Sequence, residues 1–145
     1  MPRIIVGLDG SSHSIRTLKW ALKEGALQQA AVTVLTVHSV PASPWTGNPT
    51  ILEGESQDLE KIRQLADEMT QKVMSQLGES QPASVTVYAV AGFPAEELIN
   101  ASRDADLVVV GSRGGGGFAR LLQGSVSSQV AEHAHCPVVV VPSEE

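Results

Sequence analysis

Residues 108–128 read VVVGSRGGGGFARLLQGSVSS. The stretch continues an apolar run, Asp106–Gly111 (DLVVVG), of the kind that forms a strand buried on both faces. Five of the seven residues from Gly111 to Gly117 are glycine, and Gly124 precedes three serines within the next four residues. Glycine costs folding free energy, because the unfolded chain loses more freedom there. A glycine-rich turn between a strand and a helix bares its N–H groups, with no Cβ to hold an anion away. A helix starting at Ser125 adds partial positive charge, worth about 0.3–1 kcal/mol per exposed anion. Ser125, Ser127 and Ser128 put hydroxyls in its first turn. Together these features suit a polyphosphate. Glycine density alone fits an ordinary surface loop equally well.

Working outward, the same alternation of strand and helix fills the chain. Arg3–Leu8 (RIIVGL) is a nearly continuous apolar run that stops at the turn signal DGSS. Ser11–Gln29 carries Ile15, Leu18 and Leu22 at helical spacing, with serines suited to capping its start. Ala31–Val40 is a second β-branched strand. Pro41–Gly54 holds three prolines and two glycines and reads as a flexible loop. Gln57–Leu77 is the clearest helix, with Leu59, Ile62, Ala66, Met69, Val73 and Leu77 on one face and Gly78 at its stop. Its acidic opposite face reads as solvated. Ser84–Ala91 is a third strand. Pro94 then opens a helix from its preferred first position. Ser125–His135 is helical, and Pro137–Pro142 (PVVVVP) is the fifth strand. A β-α-β-α-β-α-β-α-β order implies an α/β fold, a parallel sheet covered by helices on both faces. Such sheets bind ligands beyond the carboxyl ends of their strands. Asp9, Val37–His38 and Gly111–Gly117 all stand at such ends.

Composition bounds the rest. The chain has 145 residues and reads as one domain over 1–145, with 42% apolar residues but only 3% aromatic, so its core rests on Val, Leu, Ile and Ala. A net charge of −6 disfavours nucleic acid and anionic membranes as partners. The single cysteine, Cys136, suits a reducing cytoplasm. The apolar run before Asp9 is too short for a signal-peptide core, and no window reaches a membrane span.

Known phosphate loops can be compared. A P-loop needs Gly-Lys-Ser/Thr, and no lysine follows Lys72. Gly114, Gly116 and Ala119 fit a GxGxxA dinucleotide fingerprint, but after the fourth strand and without the expected acidic residue. By contrast, Gly111-x2-Gly114-x9-Gly124-Ser125 resembles the G-x2-G-x9-G-[S/T] motif of the universal stress proteins (the UspA superfamily), in their ATP-binding branch. IIVGLDGS near the start, GFARLLQGSVS in the middle and HAHCPVVVVP at the end extend the likeness over nearly the whole chain.

The resemblance implies a doubly wound, Rossmann-like five-stranded parallel sheet in the order 3-2-1-4-5, with the reversal between strands one and four. It implies ATP with Mg²⁺ as ligand. Asp9 would contact the ribose, and Val37 would offer main-chain groups to adenine. Gly111, Arg113, Gly114, Gly124, Ser125, Val126 and Ser127 would wrap the ribose and phosphates, with Gly7 and Val110 completing the set. The run Gly115–Gly117 departs from the pattern beside Arg113. The last strand, otherwise an exposed valine edge, would pair with its copy in a homodimer. The implied role is a cytosolic, nucleotide-dependent stress-response switch or sensor with at most slow ATP hydrolysis.

Plainer readings stand beside these. Asp9 could cap the first helix, and Ser125 and Ser127 could be ordinary helix-start residues. Arg113 could be a solvated loop arginine. The H-x-H-C cluster of His133, His135 and Cys136 invites a metal, and His13 near Asp9 a triad, but residues two apart on a helix diverge and no nucleophile elbow is present. An ATPase or phosphotransferase is a rival function, although DGSSH lacks an HxGH element; a nucleotide-free dimeric interaction module is another. Trp20 and Trp45 have no assigned role.

Overall fold

The computed structural model describes residues 1–9, 14–39, 55–112 and 125–142. The elements in chain order are β1 (Arg3–Leu8), α1 (Ser14–Gln28), β2 (Ala31–Ser39), α2 (Glu55–Leu77), β3 (Ser84–Gly92), α3 (Pro94–Ala101), a 3-10 turn (Ser102–Asp104), β4 (Leu107–Gly111), α4 (Ser125–His133) and β5 (Val138–Val141). The strands form one five-stranded sheet in the order β3-β2-β1-β4-β5, and every pairing is parallel. The expected α/β fold and strand order are both present.

Parallel strands need both faces covered, and the sequence supplies two separate cores. On one face Ile4, Val6, Leu8, Val32, Val34 and Val109 pack with Leu18, Ala21 and Leu22 of α1 and Val73 of α2. On the other, Leu35, Val108 and Val110 pack with Ala95 and Leu98 of α3 and Val130 of α4, and Ile5 and Val37 add to them. The two faces of β1 and β2 therefore belong to different cores, as the period-2 geometry of a strand demands. Burying a Val or Leu side chain stabilises by about 1.5–3 kcal/mol.

The helix ends follow local chemistry. Pro94 occupies the first turn of α3, with Glu96 and Glu97 beside it, where acidic groups suit the positive end of the helix. Gly78 takes φ +66° just after α2, the left-handed turn that glycine adopts most cheaply. Gln81 then donates to the carbonyls of Met74 and Gly78 at 3.0 and 2.7 Å. Several expected boundaries move by one or two residues, the end of α1 among them. Helix α1 stops at Gln28, because Gln29 turns left-handed at φ 50°. The N–H of Ala30 reaches the Gly25 carbonyl at 2.8 Å and that of Gln29 the Ala26 carbonyl at 3.3 Å, a Schellman closure. The Gln29 side chain offsets its unusual backbone by donating to Ala26 and Gln81 carbonyls at 2.9 and 3.0 Å.

The outer face of α2 is solvated, as its composition implies. Arg63 bonds Glu60 at 2.7 Å there and holds the Glu60 carboxyl below the usual carboxylate range. Both side chains are exposed, so the pair adds little stability. Trp20 is 37% exposed on α1. Trp45, His13 and the Pro41–Gly54 loop lie outside the described residues.

Gly25 marks the closest approach of α1 to the sheet. A Cβ there would press on Cγ2 of Val32 and on the ring of Pro82. Neither neighbour can swing away, since Val32 is fully buried and β-branched. Gly25→Ala is therefore expected to cost about 1–3 kcal/mol in urea unfolding. Adding Val32→Ala to it should cost less than the sum of the two single changes.

Candidate functional site

The carboxyl ends of the strands carry the site, and the pairing registers decide its shape. The β1–β2 ladder runs from Arg3–Ala31 to Leu8–Thr36. The β1–β4 ladder stops two residues earlier along β1, running from Ile4–Leu107 to Val6–Val109. Beyond that pair the central strands no longer bond. This is also where the strand order reverses and the covering helices change face, the place where open α/β sheets form a crevice. Gly7 and Val110 follow directly on the last bonded pair.

Asp9 leaves β1 at this edge. Its carboxylate Oδ1 accepts a 2.6 Å bond from the Ser14 hydroxyl, and its own N–H donates to the same Oγ at 3.2 Å. Ser14 is the first residue of α1 and is buried. The carboxylate is thus held by the helix start while the residue stays exposed. The bond to Ser14 gives Asp9 a structural role at the start of α1, and its exposure leaves it accessible to a ligand.

A cavity of about 490 Å³ opens beside it. Leu8 and Asp9 of the β1 end and Thr36, Val37, His38 and Ser39 of the β2 end form its floor; Pro94 of α3 closes one side. The opposite wall is the middle of α2, with Ile62, Leu65, Ala66 and Met69. Two of the residues expected at a site, Asp9 and Val37, therefore meet in one cavity.

The other expected residues divide. Gly7 lies against α3: a Cβ there would stand 2.9 Å from Cδ1 of Leu98. Its bareness lets α3 close on the sheet. Val110 is 3% exposed with its side chain in the second core, so only its main chain can face a ligand. Gly111 ends β4 opposite Val141, and the N–H of Ser112 donates to the Val141 carbonyl at 2.9 Å. Helix α4 does begin at Ser125, with Val126 partly buried against the second core and Ser127 buried in the first turn. Arg113, Gly114 and Gly124 lie outside the described residues.

Thr36, Ile62, Leu65, Ala66, Met69, Pro94 and Ser14 belong to this region and were not read from sequence as site residues, whereas His38 was placed at a strand end but given no role. Ile62, Ala66 and Met69 were legible only as core-facing positions of α2, because a cavity wall and a core contact share the same helical period.

The H-x-H-C cluster is corrected in one respect. Helix α4 ends at His133, so His135 lies beyond it, and its N–H donates to the Ser102 hydroxyl at 2.9 Å. Burial first, and the charge of Asp106 second, push the Cys136 thiol up, away from the thiolate that metal binding or nucleophilic attack requires. Among the described residues no group of three or more His, Cys, Asp or Glu side chains is placed to hold a metal. No described helix is long and apolar enough to cross a membrane.

These features define a doubly wound α/β domain with a cavity at the carboxyl ends of β1 and β2, against α2. The sequence profile of the universal stress protein family matches residues 1–142, and the chain belongs to that family. It is 35% identical to a universal stress protein of Mycolicibacterium smegmatis, over 98% of this chain and 48% of that one. The chain thus spans about half the length of the mycobacterial relatives it matches. Among solved structures it resembles a universal stress protein in complex with cAMP, with a TM-score of 0.68 and 24% identity over 97% of this chain and 96% of the other. It also resembles the universal stress protein of Archaeoglobus fulgidus in complex with dAMP, with a TM-score of 0.62 and 21% identity over 97% of each chain. At these identities the likeness is one of fold.

Proposed function

We propose that this chain binds an adenine nucleotide, ATP carrying Mg²⁺, across the crevice between β1 and β4, and acts as a nucleotide-dependent switch or sensor in a cytoplasmic stress response. One observation carries the reading above the others. Asp9 and Val37, which the family resemblance assigns to the ribose and the base, line a single cavity next to the point where the β1–β4 ladder opens. Its volume of about 490 Å³ falls within the 300–1,000 Å³ usual for small-molecule sites. The complexes of related folds with cAMP and dAMP favour the same ligand class.

In this reading the Asp9 carboxylate, oriented by Ser14, takes the ribose hydroxyls, and Val37 pairs its main chain with the adenine edge. Gly7, Val110 and Gly111 offer backbone along the crevice. Arg113, Gly114, Gly124, Ser125, Val126 and Ser127 hold the phosphates, where bare N–H groups and the start of α4 favour negative charge. Mg²⁺ would be held by the phosphates themselves, as is usual for so small and strongly hydrated a cation. The titratable groups among the described cavity residues are Asp9 and His38, both on the base side of the crevice. This reading assigns neither of them to the terminal phosphate, and on it hydrolysis is slow at most.

A second copy completes the proposal. Strand β5 is the outermost of the sheet, and Val140 on it is 41% exposed. An apolar edge of this kind is an aggregation hazard unless covered. Antiparallel pairing of two β5 strands covers it in a homodimer.

Isothermal titration with MgATP should show saturable binding, and no heat at millimolar ATP would contradict the proposal. Asp9→Asn should weaken ATP by about tenfold, or about 1.4 kcal/mol. Gly114→Val should remove binding while leaving the ligand-free melting temperature unchanged; unfolding by this change would make the glycine structural. Val140→Lys should convert the dimer to monomer in sedimentation equilibrium, and an unaltered mass would place the interface elsewhere.

A further inference from the structure

The apolar stripe of α2 is longer than the core it serves. Val73 is fully buried against the first core, and Met69 and Leu77 pack on it. One and two turns earlier, Leu65, Ala66 and Ile62 belong to neither core cluster and line the cavity instead. Leu65 is 64% exposed. A large apolar side chain left wet beside a cavity is covered when a ligand with apolar surface enters.

The cavity is also asymmetric. Its floor at the ends of β1 and β2 is partly polar, with Asp9, Thr36, His38 and Ser39, whereas the described residues of its α2 wall are all apolar. A purine over the Val37 main chain, with its sugar at Asp9, would lie on this floor and face the α2 wall across the cavity.

Resting on the proposed nucleotide binding, we infer that the α2 wall is a second compartment of the same site, which takes an apolar substituent on the outer edge of the base. The ligand class is an N6-monosubstituted adenine nucleotide. Such a base keeps one N6–H to donate to a main-chain carbonyl at the β2 end, while its substituent passes over the floor to Ile62, Leu65 and Ala66. Burying that substituent removes apolar surface from water on both partners.

The test compares ATP with N6-benzyl-ATP by calorimetry, on the full chain and on Leu65→Asp. Leu65 is exposed, so the change should spare the fold, and an unchanged ligand-free melting temperature verifies that. The benzyl analogue should bind within about threefold of ATP or tighter, and Leu65→Asp should weaken the analogue about tenfold more than it weakens ATP. If ATP binds and the analogue is more than about tenfold weaker, or Leu65→Asp weakens both alike, the α2 compartment is refuted and the nucleotide site stands. If neither nucleotide binds, the nucleotide proposal itself fails and takes this inference with it.

Discussion

Strand β1 is buried on both faces, and the rest of the molecule is arranged around that constraint. Ile4, Val6 and Leu8 point into one core and Ile5 into the other. A strand so enclosed has no side chain to spare for chemistry along its length. Its exposed flanks are Arg3 and Asp9, and only the carboxyl end meets the point where neighbouring helices leave for opposite faces. The crevice follows from this topology. Because β1 stays bonded to β2 as far as Thr36 but leaves β4 after Val109, the opening falls between β1 and β4. Asp9 emerges beside it and is anchored by Ser14, the first residue of α1.

Much of this was legible in the chain. Continuous valine and isoleucine runs marked buried parallel strands, and Pro94 and Gly78 marked a helix start and a helix stop through backbone chemistry that few other residues share. The strand order was not readable from periodicity, since a βα repeat is compatible with several orders; it came from the family resemblance. The end of α1 was missed for a specific reason. Gln29 adopts a left-handed backbone that its side-chain bonds to Ala26 and Gln81 help sustain, and the second of these partners is remote in sequence.

The candidate site was legible at its strand ends and hidden along its helix. Asp9 could be placed because it ends an apolar run, and Val37 because the family resemblance assigns it to the base. Ser14 could be read as a helix-start residue, but not as the group that orients Asp9. Ile62 and Ala66 looked like Val73, because position on a helical stripe says which face a residue occupies and not whether core or cavity lies opposite. A three-dimensional fact, the distance along α2 at which the first core ends, separates the two. That boundary gives α2 a share in whatever the cavity holds, which the glycine and serine pattern alone did not suggest.

The most direct measurement is a crystal structure of the full chain grown with ATP and Mg²⁺. The account predicts a base seated over the ends of β1 and β2, a ribose within hydrogen-bonding distance of the Asp9 carboxylate, and phosphates running past Gly111 toward the start of α4. Nucleotide bound elsewhere on the chain, with the cavity between β2 and α2 left to solvent, would contradict it.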